Sequence, residues 1–191
     1  QLIPFAISFE LHLRVEFKPR LILREFTELD IDNLVDLDSD PKVTLYINGG
    51  KPTPRDYVEE QVMPRIMQYY EDLDRQGIWA AIEKTTGAFM GWFHLRPNRT
   101  DAAETELGYR LKQKYWGQGI ATEGSAALVK KGFEELGLDV IMAAADPANG
   151  ASRRVMEKVG LSYEKEILEP DGFIVVIYRL DRADYFKKKD N

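Results

Sequence analysis

The spacing of apolar residues changes several times along the chain and predicts the order of its helices and strands. Apolar and polar residues alternate over 20–26, which is typical of a strand. Thr27 then stands as a helix N-cap before a run with acidic residues in its first turn. Thr53, followed by proline, is typical of a second helix start. We therefore expect helices over about 28–39 and 53–75.

The middle of the chain has the period of strands. Segments 77–84 and 88–95 flank the turn Thr85-Thr86-Gly87 and predict an antiparallel hairpin, and 104–112 predicts the next strand. A helix is expected from about Gly119 to Leu136.

The last third predicts a buried parallel strand over 139–146, a short helix within 147–160 closed by Gly160, and two strands around the turn 169–172. The resulting order, β α α β β β α β α β β, predicts an α+β domain of the three-layer α/β type with a mixed sheet.

The first 18 residues are apolar enough to raise the question of an export signal. No basic residues precede the apolar run, and Glu10, His12 and Arg14 interrupt it, so we do not interpret it as a signal peptide. The alternation of apolar and polar residues from Phe9 to Phe17 predicts an extra N-terminal strand. We expect an N-terminal extension over 1–18 and one domain over 19–191.

The amino-acid composition excludes several kinds of chemical site. With no cysteine and two histidines, the chain has no disulfide, no zinc–cysteine site and no cysteine nucleophile, and little to hold a metal. No segment approaches the roughly 20 apolar residues of a membrane helix. The net charge is −6, and the only basic run is the tail 187–189, which argues against a nucleic-acid partner and suits an amine-bearing one. We expect a soluble, cytoplasmic protein without metal, nucleic-acid or membrane partners.

The stretch KYWGQGIATEG, residues 114–124, places two glycines where a helix begins, directly after a strand. Backbone N–H groups from Gln118 to Thr122 then lack intrahelical acceptors, and Gly117 and Gly119 allow an anion to approach them. A tight strand-to-helix turn explains the glycines equally well.

Two nucleotide-binding motifs can be tested against this stretch. The third position of a dinucleotide fingerprint falls on Thr122 instead of glycine, and Asp139 begins the next strand instead of ending it. The chain also lacks the G-x-x-x-x-G-K-[ST] run of nucleoside-triphosphate loops. If this loop binds a ligand, we expect a pyrophosphate held mainly by main chain.

Two longer motifs together resemble a known family. ELGYRLKQKYWGQGIATEG (106–124) and NGASRRVMEKVGL (149–161) are similar to the GNAT acyltransferase superfamily, specifically its RimJ/RimL branch of ribosomal-protein N-terminal acetyltransferases. The similarity is close over about 104–165 and looser over 20–32. It implies a GNAT fold, with about seven strands splayed at the fourth and about four helices, and an acetyl-CoA-dependent transfer to an amine.

The resemblance also implies the residues that hold acetyl-CoA. Lys114 departs from the family pattern, which has Gln or Arg at this position. Lysine can still neutralise a phosphate, but it lacks the forked pair of donors that arginine offers. The main-chain N–H of position 111 or 112 would polarise the acyl carbonyl. The predicted cofactor-binding residues are Leu111, Lys112, Lys114, Trp116, Gly117, Gln118, Gly119, Ile120, Ala121, Thr122, Asn149 and Ser152.

Three residues are candidates for the chemistry. Glu106 matches the glutamate of the family motif and is the first candidate for the base. Glu104 lies on the same strand face by the period of two and is the second. Both could instead be carboxylates at the rim of a half-exposed strand, with no part in the chemistry. Ser152 would protonate or hydrogen-bond the leaving thiolate, or merely satisfy backbone donors in its helix.

The acceptor stays open between a protein N-terminus and a small amine, and a homodimer is possible. The alternatives are a CoA-binding sensor without turnover, and an acyltransferase that uses another acyl group such as succinyl.

Overall fold

A mixed seven-stranded sheet forms the centre of the molecule. The computed structural model describes residues 19–73, 75–98, 101–169 and 172–189, so the predicted N-terminal strand within 1–18 lies outside the described residues. The strands, in chain order, are β1 (Leu21–Glu25), β2 (Gly77–Glu83), β3 (Phe89–Pro97), β4 (Thr105–Leu111), β5 (Val140–Ala145), β6 (Ser162–Leu168) and β7 (Ile174–Asp181). Their spatial order is β1-β2-β3-β4-β5-β7-β6. The prediction of about seven strands in a mixed sheet is confirmed.

Helices cover the sheet, and more of them form than the sequence predicted. They are α1 (Ile31–Ser39), α2 (Pro41–Asn48), α3 (Arg55–Tyr57), α4 (Met63–Asp72), α5 (Ile120–Lys130), α6 (Gly150–Lys158) and α7 (Arg182–Lys189). The predicted helix over 53–75 consists of α3, a π-helical turn over Val58–Val62, and α4. Pro64, which has no N–H to donate, accounts for the interruption of the regular ladder there.

Helices α2 and α7 were not predicted. The start and stop signals of α2 are present in the sequence: Asp40 caps it by accepting from the N–H of Lys42, Pro41 opens it, and Gly49 closes it at φ 75°. Its apolar side chains are nevertheless about half exposed, so they do not show the buried periodicity of a core helix. Helix α7 buries no residue, which is why its sequence carries no apolar stripe.

Two apolar clusters lie on opposite faces of the sheet. Helix α5 packs closely on one face, since a Cβ on Gly124 would stand 2.3 Å from Phe93 Cζ and one on Gly132 would stand 2.8 Å from Ile141 Cδ1. This cluster includes Phe93, Leu95, Leu128, Phe133, Ile141 and Tyr178. The other, under α1 and α4, includes Phe26, Leu34, Leu37, Val58, Ile66 and Phe89. None of the helices that the structure describes has the length and apolarity needed to span a bilayer.

The sheet opens between β4 and β5. These strands are parallel and pair only at Thr105 with Ile141 and at Glu106 with Met142. On its other side, β4 pairs with β3 along its whole length. The edge of β4 beyond Glu106 therefore faces a V-shaped gap, and the predicted splay at the fourth strand is confirmed.

Candidate active site

A cleft of about 660 Å³ occupies the gap between β4 and β5. Its walls come from β4, β5, α2, α6 and the glycine-containing loop before α5. The predicted cofactor residues that line it are Leu111, Trp116, Gly117, Gly119, Ile120, Ala121, Thr122, Asn149 and Ser152. Residues from two motifs that are separated by residues 125–148 thus share one concave surface.

The loop at one end of the cleft has the geometry of an anion site. Gly117 and Gly119 adopt φ angles of 71° and 79°, the left-handed region in which glycine is favoured. The first helical hydrogen bond of α5 runs from Glu123 N–H to Gly119 O at 3.0 Å, so the N–H groups of the three residues between them have no acceptor in the helix. A Cβ on Gly117 would meet nothing within 4 Å, so the backbone surface is open. The free N–H donors and the positive end of the helix dipole together favour the binding of a pyrophosphate.

Arg20, from the start of the domain, holds this loop. Its Nε donates to Glu123 Oε2 at 2.8 Å, and its Nη1 donates to the carbonyl oxygen of Gln118 at 2.8 Å. Its own N–H donates to Glu123 Oε1 at 2.6 Å. Sequence reasoning missed this residue because it lies 103 positions before Glu123 and no local pattern joins them.

Lys114 and Gln118 do not line the cleft. The Lys114 ammonium lies 4.8 Å from the centroid of the Tyr115 ring, and the Lys114 carbonyl accepts from Gln118 Nε2 at 2.7 Å. Both contacts lie within the turn, and the predicted roles of Lys114 and Gln118 in cofactor binding stay predictions.

Lys112 also lies away from the cleft. Its N–H donates to Met90 O at 2.9 Å, and its ammonium lies 2.7 Å from Asp36 Oδ2. Both groups are therefore engaged with β3 and α1, which argues against its predicted cofactor role. Because successive N–H groups of a strand point to opposite edges, those of Tyr109 and Leu111 face the gap instead.

Helix α6 brings Asn149 and Ser152 to the cleft. Asn149 is the N-cap of this helix, and its Oδ1 accepts a hydrogen bond from Ser152 N–H at 3.1 Å. Burial raises the pKa of Tyr109, while a side-chain hydrogen bond with Ser152 opposes that rise. The pairing of the two hydroxyl groups was not predicted, because it depends on how β4 and α6 meet.

A second void of about 210 Å³, here called the inner cavity, adjoins the cleft. The two voids share the lining residues Ile47, Tyr109, Arg110, Ala144, Ser152 and Val155, so they adjoin where the strands begin to part. The inner cavity is further lined by Trp92, His94, Glu106, Leu107, Gly108, Ser125, Ala143, Met156 and Val159.

Glu106 is the carboxylate that reaches this junction. Its Oε2 lies 2.7 Å from Arg96 Nη2, and its Oε1 lies 3.8 Å from His94 Nε2. The Arg96 side chain is 8% exposed and that of Glu106 is 22% exposed. The carboxylate is thus held in place by a buried cation while part of its surface faces the inner cavity.

Glu104 lies elsewhere. It forms an ion pair with Arg179 and lines neither void. Glu106, Ser152 and Tyr109 therefore line the same inner cavity, whereas Glu104 lies just before β4 and outside both voids. Within the described ranges, no three His, Asp or Glu side chains form a group that could hold a metal ion.

Comparisons with known proteins agree with this geometry. A profile described as an acetyltransferase (GNAT) domain matches residues 20–162. FsC-acetyl coenzyme A-N(2)-transacetylase of Aspergillus fumigatus is 36% identical over 149 residues, which cover 73% of this chain and 58% of that protein. The uncharacterized protein YkkB of Bacillus subtilis is 34% identical over 146 residues, covering 75% of this chain and 81% of that one.

A solved structure shares the fold at lower sequence identity. Spermidine N-acetyltransferase from Vibrio cholerae, in complex with CoA and spermine, superposes with a TM-score of 0.71 at 15% identity, covering 88% of this chain and 99% of that one.

Proposed function

Since the chain belongs to the GNAT acetyltransferase domain family, we propose that it transfers the acetyl group of acetyl-CoA to a primary amine. Family membership confirms the predicted fold and the predicted class of acyltransferase. One observation carries the proposal: the cleft runs from the open loop at Gly117, proposed to bind an anion, to Tyr109 and Ser152, and the adjoining inner cavity is lined by Glu106.

In this proposal the cosubstrate follows the cleft. The pyrophosphate is held by the N–H groups at the start of α5, and the pantetheine arm extends along the free edge of β4. The N–H groups of Tyr109 and Leu111 face the gap and are placed to donate to the acyl oxygen, where negative charge develops. The thioester sulfur then lies near Ser152.

The chemistry requires one bond to form and one to break. The amine nitrogen attacks the acyl carbon, a C–N bond forms, and the C–S bond breaks. Glu106 accepts the proton that the amine gives up, directly or through water. The thiolate receives its proton from the hydrogen-bonded pair of Tyr109 and Ser152. Direct transfer within a ternary complex needs no covalent enzyme intermediate.

The acceptor is proposed only as an amine. Two of the compared proteins are an N(2)-transacetylase and a spermidine N-acetyltransferase, and both names refer to nitrogen acceptors. The motifs 106–124 and 149–161 favour the RimJ/RimL branch, in which the acceptor would be a protein N-terminus. A cytoplasmic location and a homodimer stay predictions. The presence of Glu106, Tyr109 and Ser152 at one junction favours an enzyme over a CoA sensor.

Two measurements test the proposal. Thermal unfolding with and without millimolar acetyl-CoA should show a rise in Tm, because ligand binding stabilises the folded state by mass action. Release of free thiol from acetyl-CoA, measured across a panel of polyamines, amino acids, aminoglycosides and N-terminal peptides, should identify the acceptor. An unchanged Tm, or binding without thiol release by any amine, would refute the enzymatic proposal.

A further inference from the structure

The inner cavity continues the cleft beyond the position proposed for the thioester. Tyr109 and Ser152 line both voids, and they are the residues assigned above to the leaving sulfur. An acyl chain carried by that sulfur would therefore extend into the inner cavity. This placement rests on the proposed function.

The inner cavity is much larger than an acetyl methyl group requires. Its volume is about 210 Å³. By comparison, a cavity needs only about 10–15 Å³ to hold a water molecule. Small residues create the space where β4 and β5 part, namely Gly108 on one strand and Ala143 and Ala144 on the other. A Cβ on Gly108 would lie 2.6 Å from His94 Nε2, so any side chain at this position would require the imidazole to move.

The wall opposite the polar groups is apolar. Leu107 from β4 and Val155, Met156 and Val159 from α6 line it. The charged groups on the other side have partners of their own: Glu106 is paired with Arg96, and Arg110 Nη1 lies 2.6 Å from Asp38 Oδ1. Because these charges are neutralised in pairs, the cavity does not require a charged ligand.

From the volume, position and apolar wall of the inner cavity, we infer that it binds the acyl chain, and that the enzyme uses short straight-chain acyl-CoA substrates up to about butyryl, not acetyl-CoA alone. The further activity is acyl transfer from propionyl- and butyryl-CoA. Bond formation and proton transfer are the same as for acetyl, because the added methylene groups lie beyond the reacting carbonyl.

Binding measurements test this inference without the acceptor. Calorimetric titrations with CoA, acetyl-CoA and butyryl-CoA should give a dissociation constant for butyryl-CoA about 15-fold lower than for acetyl-CoA, since each of the two added methylenes is worth about a fourfold gain in affinity when buried. Equal or weaker binding of butyryl-CoA would overturn the inference. If acetyl-CoA itself does not bind, the proposed function falls and the inference falls with it.

Three variants locate the acyl chain. Val159→Phe fills the apolar end and should abolish the preference for butyryl-CoA over acetyl-CoA. Val140→Phe adds the same bulk at a half-buried position that lines neither void and should keep the preference. Ser125 is 1% exposed, and its hydroxyl lacks a hydrogen-bond partner among the described residues, so Ser125→Ala should increase the preference severalfold by making the wall more apolar.

The same variants separate an acyl site from an acceptor site. If the inner cavity holds the amine instead, Val159→Phe would raise the KM for the amine and leave the ratio of butyryl-CoA to acetyl-CoA affinity as in the wild type. That result would overturn the inference while leaving the proposed acetyl transfer intact. Thiol release from butyryl-CoA in the presence of the identified amine would complete the demonstration of the further activity.

Discussion

Replacing Glu106 by glutamine should separate its proposed role as base from its role in the sheet. The substitution removes the charge and the basicity and keeps the size of the side chain. A positioned general base contributes about 10²–10⁴-fold to a rate, so we expect kcat/KM to fall by about that factor. The affinity for acetyl-CoA should change little, because the carboxylate lies at the junction of the voids and not at the anion-binding loop.

The ion pair with Arg96 sets the expected loss of stability. Removing one partner of a fully buried pair costs about 3–5 kcal/mol. Glu106 is 22% exposed, and the amide oxygen of glutamine can still accept from Arg96, so we expect a loss of only about 1–2 kcal/mol in the free energy of unfolding. Urea denaturation measures this loss independently of turnover. A fall in kcat/KM that follows only the fraction of folded protein would show that the effect is structural.

Glu104→Gln is the matched control. It makes the same chemical change two residues away on the same strand, and it also removes the charge that faces an arginine, Arg179. Because Glu104 lines neither void, kcat/KM should stay within about threefold of the wild type. If Glu106→Gln retained wild-type kcat/KM, or if Glu104→Gln lost as much, the assignment of the base would be refuted.

Four further substitutions test the site and the fold. Tyr109→Phe removes the hydroxyl proposed to protonate the thiolate, and single-turnover kinetics should show a fall of about 10²-fold with acetyl-CoA affinity unchanged; an unaltered rate would contradict the role. Gly117→Ala and Gly87→Ala should each cost about 1–2 kcal/mol in urea denaturation, since both have φ above 70° and open space around the added Cβ, but only Gly117→Ala should weaken acetyl-CoA binding in calorimetry; equal binding by the two variants would argue against the anion-binding loop. For Asp30, burial raises the pKa, but hydrogen bonds led by that from Arg24 outweigh this and lower it from 3.8 to about 2. The carboxylate therefore contributes about 2 kcal/mol above about pH 4 that is lost as the pH falls towards 2. Denaturation of the wild type and Asp30→Asn across this range should show the difference in unfolding free energy shrinking towards low pH, and a constant difference would refute the coupling.

The sequence determined the order of the strands along the chain and the position of the glycine-containing loop that we propose binds an anion. Apolar runs together with turn residues predicted all seven described strands, because burial on a sheet face imposes a pattern on neighbouring residues and chain reversal requires turn residues. Paired glycines before a helix predicted the loop for the same reason: left-handed backbone angles are a local requirement that glycine meets best. Helix α2 was missed although its capping residues are present, since its apolar face does not pack into a core.

The tertiary structure decided which of the candidate residues share the site. Sequence reasoning placed Glu104 and Glu106 on one strand face, but in the folded chain Glu106 lines the inner cavity and Glu104 pairs with Arg179. It assigned Lys112 to the cofactor, yet the hydrogen bond from its N–H to β3 turns that edge of the strand away from the gap.

Contacts between distant parts of the chain leave no local trace in the sequence. Three features of the site arise where separate elements meet. They are the hydrogen bonds from Arg20 to the loop, the pairing of Tyr109 with Ser152, and the inner cavity. Short-range patterns thus identify the elements and the motif that binds an anion, because backbone geometry and burial act on neighbouring residues. The assignment of base, proton donor and acyl space depends on packing between elements, which only the folded chain fixes.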